Sequence, residues 1–326
     1  MKQKIILIVA LLLILGGIGY MIKDMFFDKP ESNNPWKYDM KSLRTGDSTA
    51  PAFSELKHLK PAMSEIHGIA TDASGRIFIA GKDSIQVLDA SGGSESVFGI
   101  SGTALCIHIR PDGNILLGIQ DHIEIYSPAG HKISSWKSPG EEAVITGIAA
   151  TSRDIFVADA GNKIVYRYDY NGKLINKIGQ KDPAAGIPGL IIPSPYFDVA
   201  IDPLEKDRIW IVNPGMHSLE KFDFEGKLVS SWGKASMDVT GFCGCCNPSN
   251  IALLPEGSFV TSEKAIPRVK IYSPKGEFVC MVTSPDSFDE GTKGLDLALG
   301  KSGEILVLDP GRNQLRFFQK NVKPNH

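Results

Sequence analysis

The residues in this sequence best suited to chemistry are the sulfurs clustered near position 245. Three of the five cysteines stand within four residues, in the run Cys243-Gly244-Cys245-Cys246. Cysteine thiolates are soft ligands, so this cluster would bind Zn²⁺ or Cu(I), or hold an iron–sulfur centre. In an exported protein the same cysteines would instead form disulfides, with Cys280 or as a vicinal Cys245–Cys246 bridge. Metal ligands, disulfides and reactive thiols are therefore three open interpretations.

A second group of polar side chains surrounds the cysteines in the sequence. Glu263, Lys264 and Arg268 stand at a predicted turn between two strands, and Asn247 and Asn250 follow the cysteines directly. These five residues are the predicted ligand-binding set, with an anionic ligand expected at the turn. The alternative is a solvated turn whose local ion pairs contribute under about 1 kcal/mol.

The N-terminus carries an apolar segment that predicts a membrane anchor. Residues 5–22 are uncharged and rich in Ile and Leu, and as a helix they would extend about 27 Å, close to the hydrocarbon thickness of a bilayer. Lys2 and Lys4 favour a cytoplasmic amino end, so the rest of the chain would lie outside the cytoplasm. We predict an anchor at 1–23, a polar stalk at 24–50 and an exported domain at 51–326. A cleavable signal peptide is the alternative.

The composition limits the class of partner. The 326 residues are 42% hydrophobic and 22% charged, as in ordinary globular proteins, and the formal net charge is -2. A nucleic-acid-binding surface needs a surplus of Lys and Arg, which this chain lacks. The 20 prolines and 33 glycines indicate many turns between short elements.

The domain repeats itself from about residue 65 to residue 320, with a period of roughly 40 residues. Six short apolar cores begin the repeats, at Ile69, Ile107, Ile148, Val199, Ile251 and Leu297. Each core is followed by segments typical of further strands separated by Gly-containing turns. Sheets of four strands cannot bury both faces alone, so the pattern predicts an all-β fold, a six-bladed β-propeller. The sixth repeat lacks a fourth strand, and residues 53–59 are expected to supply it.

Two runs of the repeat carry a family resemblance. The segments 157–164, Val-Ala-Asp-Ala-Gly-Asn-Lys-Ile, and 307–315, Val-Leu-Asp-Pro-Gly-Arg-Asn-Gln-Leu, resemble the strand, turn and strand core of NHL-repeat propellers. The resemblance covers about residues 65–320 and implies a propeller fold. It does not imply one function, because such propellers include binding modules and enzymes.

Aligning the repeats brings other residues towards the channel mouth. His67 and Cys106 occupy early inner-strand positions, so the hypothetical metal set is Cys243, Cys245, Cys246, Cys106 and His67, holding Zn²⁺ or another soft metal. His67 resembles one zinc-binding position of the related amidating lyases.

The other positions that would complete the amidating-lyase site do not carry histidine. The counterparts of His67 are Leu105, Thr146, Phe197, Ser249 and Leu295. Calcium-dependent lactonase-like propellers place carboxylates and amides at the channel, and the next aligned positions hold Asp198, Asn250 and Asp296. Those side chains would bind a hard cation or cap backbone groups.

These observations favour a tethered binding or scaffold module over an enzyme. The expected partner is a protein or a small molecule, recognised on the face that carries residues 243–250, and the helix would contact the membrane. The alternative is a metal-dependent hydrolase or lyase, or a redox protein, using the Cys/His site at the mouth. No catalytic residue can be singled out from the sequence.

Overall fold

The computed structural model describes residues 50–184, 187–244 and 246–321, together with residues 5, 15–17, 19 and 23. The chain divides into two units, Met1–Met40 and Lys41–His326. The predicted anchor and stalk lie almost entirely outside the described residues. Within the part of the chain that is described, no helix is both long and apolar enough to cross a membrane.

The second unit is built from antiparallel strands arranged in five hydrogen-bonded sheets. The first sheet has six strands: β2 (Ile66–Thr71), β3 (Ile77–Leu88), β4 (Ser94–Ile109), β5 (Ile115–Ile119), β6 (His122–Tyr126) and β7 (Lys132–Ser135). The second contains β8 (Ile145–Ala150), β9 (Asp154–Asp159), β10 (Ile164–Asp169) and β11 (Leu174–Ile178). The third contains β12 (Val199–Ile201), β13 (Arg208–Asn213), β14 (Ser218–Asp223) and β15 (Leu228–Trp232).

The last two sheets complete the set. The fourth contains β16 (Asn250–Leu253), β17 (Phe259–Ser262), β18 (Val269–Tyr272) and β19 (Phe278–Thr283). The fifth contains β20 (Asp296–Leu299), β21 (Ile305–Asp309), β22 (Gln314–Lys320) and β1 (Phe53–Leu59). Two short 3₁₀ turns occur at Pro214–Met216 and Pro285–Ser287.

The expected six-bladed propeller is corrected: the described strands form five sheets, and hence five blades, rather than six. The first two sequence repeats share the six-stranded sheet, because β4 continues without a break from the outer strand of repeat one into the inner strand of repeat two. Its pairing with β3 persists across that junction, at Lys82↔Thr103 as well as Ser84↔Gly99. β3 itself passes through Asp83, whose φ of 58° marks the turn that separates two strands in the other repeats.

The inner strands surround a central channel. A cavity of about 350 Å³ is lined by residues of β2, β4, β8, β12, β16 and β20, the strands that begin the six repeats. Strands next to this layer, such as β9 and β21, are buried along their whole length, because neighbouring sheets cover both faces. Outer strands such as β7 are largely exposed. The apolar runs of the middle strands and the polar outer strands follow directly from this radial packing.

The N-terminal strand closes the last sheet. β1, the segment named above as the missing fourth strand, pairs antiparallel with β22 from Phe53↔Lys320 to Leu59↔Leu315. Phe53 packs into the core cluster between the fourth and fifth sheets, and the Glu55 carboxylate accepts a 2.5 Å hydrogen bond from Arg316 Nη2. The strand therefore covers an edge that would otherwise be unpaired.

Removing the closing strand should destabilise the whole domain. We expect Phe53→Ala to lower the free energy of unfolding by about 3–5 kcal/mol, since it empties a buried aromatic site, whereas Leu56→Ala, at a side chain 56% exposed on the same strand, should change it by less than about 0.5 kcal/mol. Deleting residues 1–62 should unfold the domain, and deleting residues 1–35 should not. Urea denaturation followed by tryptophan fluorescence measures each, and equal stability of the two truncations would contradict closure by β1.

Candidate functional site

One position of each inner strand forms a ring around the channel. The six equivalent residues are Gly68, Cys106, Gly147, Asp198, Asn250 and Asp296. Three of the ring residues are small and the other three are polar. The small residues leave space for their neighbours. A Cβ on Gly147 would lie 2.7 Å from Asp198 Oδ1, and one on Gly68 would lie 3.0 Å from the Cys106 Cα. The ring is thus close-packed and carries acidic groups on one side.

The aspartates join inner strands that share no ladder hydrogen bonds. Asp198 Oδ2 accepts the backbone N–H of Ile251 at 3.0 Å, which links β12 to β16. Asp296 Oδ2 accepts the N–H of Ile69 at 2.8 Å, which links β20 to β2, and its Oδ1 lies 3.3 Å from Asn250 Nδ2. These contacts cap backbone groups at the strand starts, the second of the two roles expected for these residues.

Burial makes these carboxylates titrate near neutrality. It raises the pKa of Asp198 to about 7, with the charge of Asp296 adding to the effect and backbone hydrogen bonds opposing it. Burial likewise raises the pKa of Asp296 to about 6. The pKa of the neighbouring Cys106 thiol is raised by burial and by both carboxylates, so this sulfur remains protonated.

A second cavity, which we call the mouth, opens above the ring. It has a volume of about 300 Å³ and shares Thr146 with the channel cavity. Its walls combine apolar and polar side chains: His67, Leu105, Thr146, Pro195, Tyr196, Phe197, Asn250, Lys293 and Pro310. β-bulges in the first three repeats place His67, Leu105 and Thr146 there, because each bulge lets one extra residue turn away from the ladder.

The polar groups of the mouth favour a ligand with an anionic group. Lys293 contributes a cation and His67 an imidazole, whose pKa is lowered by burial with Glu65 acting in the opposite direction. Asn250 Oδ1 is buried and has no hydrogen-bond partner among the described groups. An unsatisfied buried amide oxygen costs stability, and this oxygen is enclosed by protein atoms although Asn250 itself borders the cavity.

The cysteine loop is held by a buried ion cluster beneath it. Glu263 is 1% exposed and accepts hydrogen bonds from the Cys243 backbone N–H at 3.1 Å and the Cys243 thiol at 3.3 Å. The same carboxylate pairs with Lys270 Nζ at 2.5 Å and Arg268 Nη2 at 3.1 Å. Lys270 Nζ also donates to the carbonyl of Gly241.

Charge balance fixes the ionisation of this cluster. Burial raises the pKa of Glu263, but the adjacent Lys270 and Arg268 outweigh it and hold the pKa below its usual range. Burial and the Glu263 charge together raise the pKa of Cys243 to about 12. The loop therefore rests on an ionised carboxylate and carries a protonated thiol. Removal of one partner from such a buried pair typically costs 3–5 kcal/mol.

Asn247 and Lys264 connect the loop to the wall of the mouth. The Asn247 amide donates to the carbonyls of Cys243 and Lys264 and accepts the Lys264 N–H. Lys264 Nζ donates to Ser194 Oγ at 2.6 Å and lies 4.7 Å from the centre of the Tyr196 ring. A cation over an aromatic face adds about 0.5–1 kcal/mol at a partly exposed site.

The structure thus separates the five predicted ligand-binding residues into two groups. Asn250 borders the mouth, and Lys264 reaches its wall through Tyr196. Asn247, Glu263 and Arg268 are buried and make the contacts that anchor the cysteine loop. Sequence reasoning missed Tyr196 and Lys293, which lie in irregular segments before strands, and the buried Lys270. The sequence signal for Lys270 was its position between two apolar residues, Val269 and Ile271, in what proves to be a fully buried strand.

The hypothetical soft-metal set is dispersed in the described structure. His67 borders the mouth, Cys106 belongs to the ring and packs in an apolar cluster, and Cys243 contacts Glu263. Cys245 lies outside the described residues. Cys280, the proposed disulfide partner, is a free thiol on β19. Over the described ranges, no three His, Cys, Asp or Glu side chains converge as a metal site would require.

Comparison with known proteins defines the fold. No protein-family model and no curated protein matches the sequence. Among solved structures, a streptogramin B lyase is similar with a TM-score of 0.59 and 13% identity, over 82% of this chain and 98% of that one. The WD40 propeller domain of Doa1 is similar with a TM-score of 0.57 and 15% identity, over 80% of each chain. The chain is a β-propeller.

A third similar structure is virginiamycin B lyase from Staphylococcus aureus, with a TM-score of 0.56 and 12% identity, over 82% of this chain and 99% of that one. Two of the three titles name lyases and the third a WD40 domain, and all three proteins have little sequence in common with this propeller. Their likeness therefore establishes the fold alone.

The raised pKa values of the ring predict a pH-dependent stability. Because Asp198 and Asp296 bind protons more tightly when folded than at their ordinary value of 3.8, the propeller should lose stability as pH rises from about 4 to about 7. Asp198→Asn should reduce this loss by roughly 1–3 kcal/mol, while Asp207→Asn, at an exposed carboxylate, should not alter it. Denaturant titrations at several pH values measure the effect, and an unchanged slope in Asp198→Asn would contradict the assignment.

Proposed function

We propose that this protein is a binding module that recognises a small ligand, or the end of a larger one, at the mouth of the propeller. The observation that carries the proposal is the composition of the mouth, where Lys293, His67 and Asn250 border a cavity with apolar walls. The cysteine loop, residues 243–250, flanks this cavity and forms the recognition face with it.

The chemistry of the wall specifies the ligand class. Tyr196, Leu105 and Pro310 would cover an apolar or aromatic body of the ligand, while Lys293 and His67 would face a carboxylate. Few polar groups placed on an apolar wall give a pocket its orientation and specificity.

The mouth should bind aromatic carboxylates in preference to their amides. We expect phenylacetate and N-acetylphenylalanine to show saturation-transfer signals with the protein, and their neutral amides to bind more weakly. Lys293→Ala should reduce carboxylate affinity by about two- to fivefold, the effect of losing an exposed ion pair. Lys301→Ala is the matched control, because Lys301 follows the far end of β20 whereas Lys293 precedes it. Equal binding of acid and amide, or equal loss in both variants, would contradict the proposal.

The position of the module is a further part of the proposal. An anchor at residues 1–23, with the amino end in the cytoplasm, would hold an NHL-like propeller outside the cytoplasm. The supporting observation is the uncharged stretch 5–22 preceded by Lys2 and Lys4. The full chain should then sediment with membranes, resist extraction by high salt, and be cleaved by protease added from the extracytoplasmic side. A chain that remains soluble without detergent, or is protected from that protease, would overturn the tether.

A hydrolase or lyase acting at the same mouth is the runner-up. Its support is His67 at the cavity wall and the two lyases among the similar structures, which at 12–13% identity share only the fold. Mass spectrometry of the bound probes distinguishes the two functions, since a binding module returns its ligand unchanged.

A further inference from the structure

Tyr196 places a partly exposed aromatic ring in the wall of the mouth. The residues before it are Pro193, Ser194 and Pro195, and each proline fixes its own φ and restricts the residue that precedes it. The Tyr196 N–H also donates to the Ser194 carbonyl at 2.8 Å. Local constraints therefore hold the backbone of this segment, and the direction of the ring depends on what the side chain contacts.

Two residues from other segments confine the Tyr196 ring. Lys264 Nζ donates to Ser194 Oγ at 2.6 Å and lies 4.7 Å from the ring centroid, so one ammonium group contacts both residues. Gly294, in the wall of the mouth, has a φ of 66°, and a Cβ added to it would lie 3.1 Å from Tyr196 Cε1. A cation thus covers the face of the ring, and backbone lies close to its Cε1 side.

The cysteine loop holds Lys264 through the main chain. The Lys264 N–H donates to Asn247 Oδ1 at 2.9 Å, and the Lys264 carbonyl accepts a hydrogen bond from Asn247 Nδ2 at 3.0 Å. Asn247 is itself buried, with 1% of its surface exposed. Because both bonds use backbone atoms of Lys264, they persist when its side chain is changed. The ammonium group can therefore be removed without releasing the loop.

We propose that Lys264 is a positioning residue of the mouth, holding the Tyr196 ring where it selects aromatic over saturated ligands. This inference rests on the proposed function, because it concerns how the same cavity recognises its ligand. Lys293 borders the cavity and faces the carboxylate of the ligand, whereas Lys264 acts through Tyr196. Aromatic rings attract one another in offset-stacked and edge-to-face arrangements, which a saturated ring does not reproduce. Without the ammonium group the ring gains rotamer freedom, and binding must then bear the entropy of fixing it.

The test compares phenylacetate with cyclohexylacetate, which carry the same carboxylate on an aromatic and on a saturated ring. In the full-length chain, ligand-observed NMR titrations should give a dissociation constant about two- to tenfold lower for phenylacetate. Lys264→Met keeps a long side chain without the charge and should lower this ratio by about twofold or more, and Lys264→Arg should retain most of it. Lys275→Met is the matched control and should leave the ratio unchanged, since Lys275 is exposed in the turn between β18 and β19, at the far end of the same sheet.

A double-variant cycle separates positioning from general disruption of the mouth. Tyr196→Leu should bring the ratio to about one, and adding Lys264→Met should change it no further, because Lys264 acts only through that ring. Lys293→Ala should weaken binding of both carboxylates equally and leave the ratio unchanged. The thermal transition of each variant reports its folding, and a ratio of two dissociation constants measured on one sample does not depend on the folded fraction.

Three results overturn this inference while the proposed function stands, provided that phenylacetate still binds more tightly than its amide. The first is a wild-type ratio near one. The second is an equal ratio in the wild type and in Lys264→Met. The third is an effect of Lys264→Met that persists in full when Tyr196 is replaced by leucine. If neither carboxylate binds, or if acid and amide bind equally, the proposed function and this inference both fail.

Discussion

The stability of this domain and the position of its channel depend on closing a ring of sheets, none of which can cover both of its own faces. A sheet with two apolar faces must be covered on both sides, and only a closed ring gives every sheet two neighbours. The closure here is made by β1 and β22, which are more than 250 residues apart in sequence, through a ladder of six pairs. Covering that last edge commits the chain to one arrangement and brings all inner strands around one channel.

Ring closure places two kinds of polar network at the axis. Asp198 and Asp296 accept backbone N–H groups from inner strands of neighbouring sheets. They therefore link sheets that share no strand-to-strand hydrogen bonds. Glu263 performs a comparable task on the upper face, where it holds the loop 241–247 through Cys243 and, via Lys270, through Gly241. The two networks stabilise the mouth from below and from one side.

The site shows how burial converts sequence signals into different roles. Glu263 and Arg268 read in the sequence as ligand contacts because charged residues at a turn usually face solvent. The cysteine loop covers both side chains, which are 1% exposed for Glu263 and 2% exposed for Arg268, and the pair supports the loop from inside the protein. Lys264, next to Glu263 in the chain, points the other way and reaches Ser194 and Tyr196.

The sequence alone determined the repeat, the all-β class and the identity of the closing strand, because strand periodicity and turn glycines are local properties. It also pointed to the loop 243–250 and to Asn250, whose position in the repeat aligns it with the channel. Three features required tertiary structure. The fusion of repeats one and two depends on hydrogen bonds across residues 100–103, which no local pattern encodes. The mouth is made from segments of several repeats, so Tyr196 and Lys293 meet only after closure. The charge state of Asp198 and the anchoring role of Glu263 follow from desolvation, which is a property of the packed ring and not of any segment.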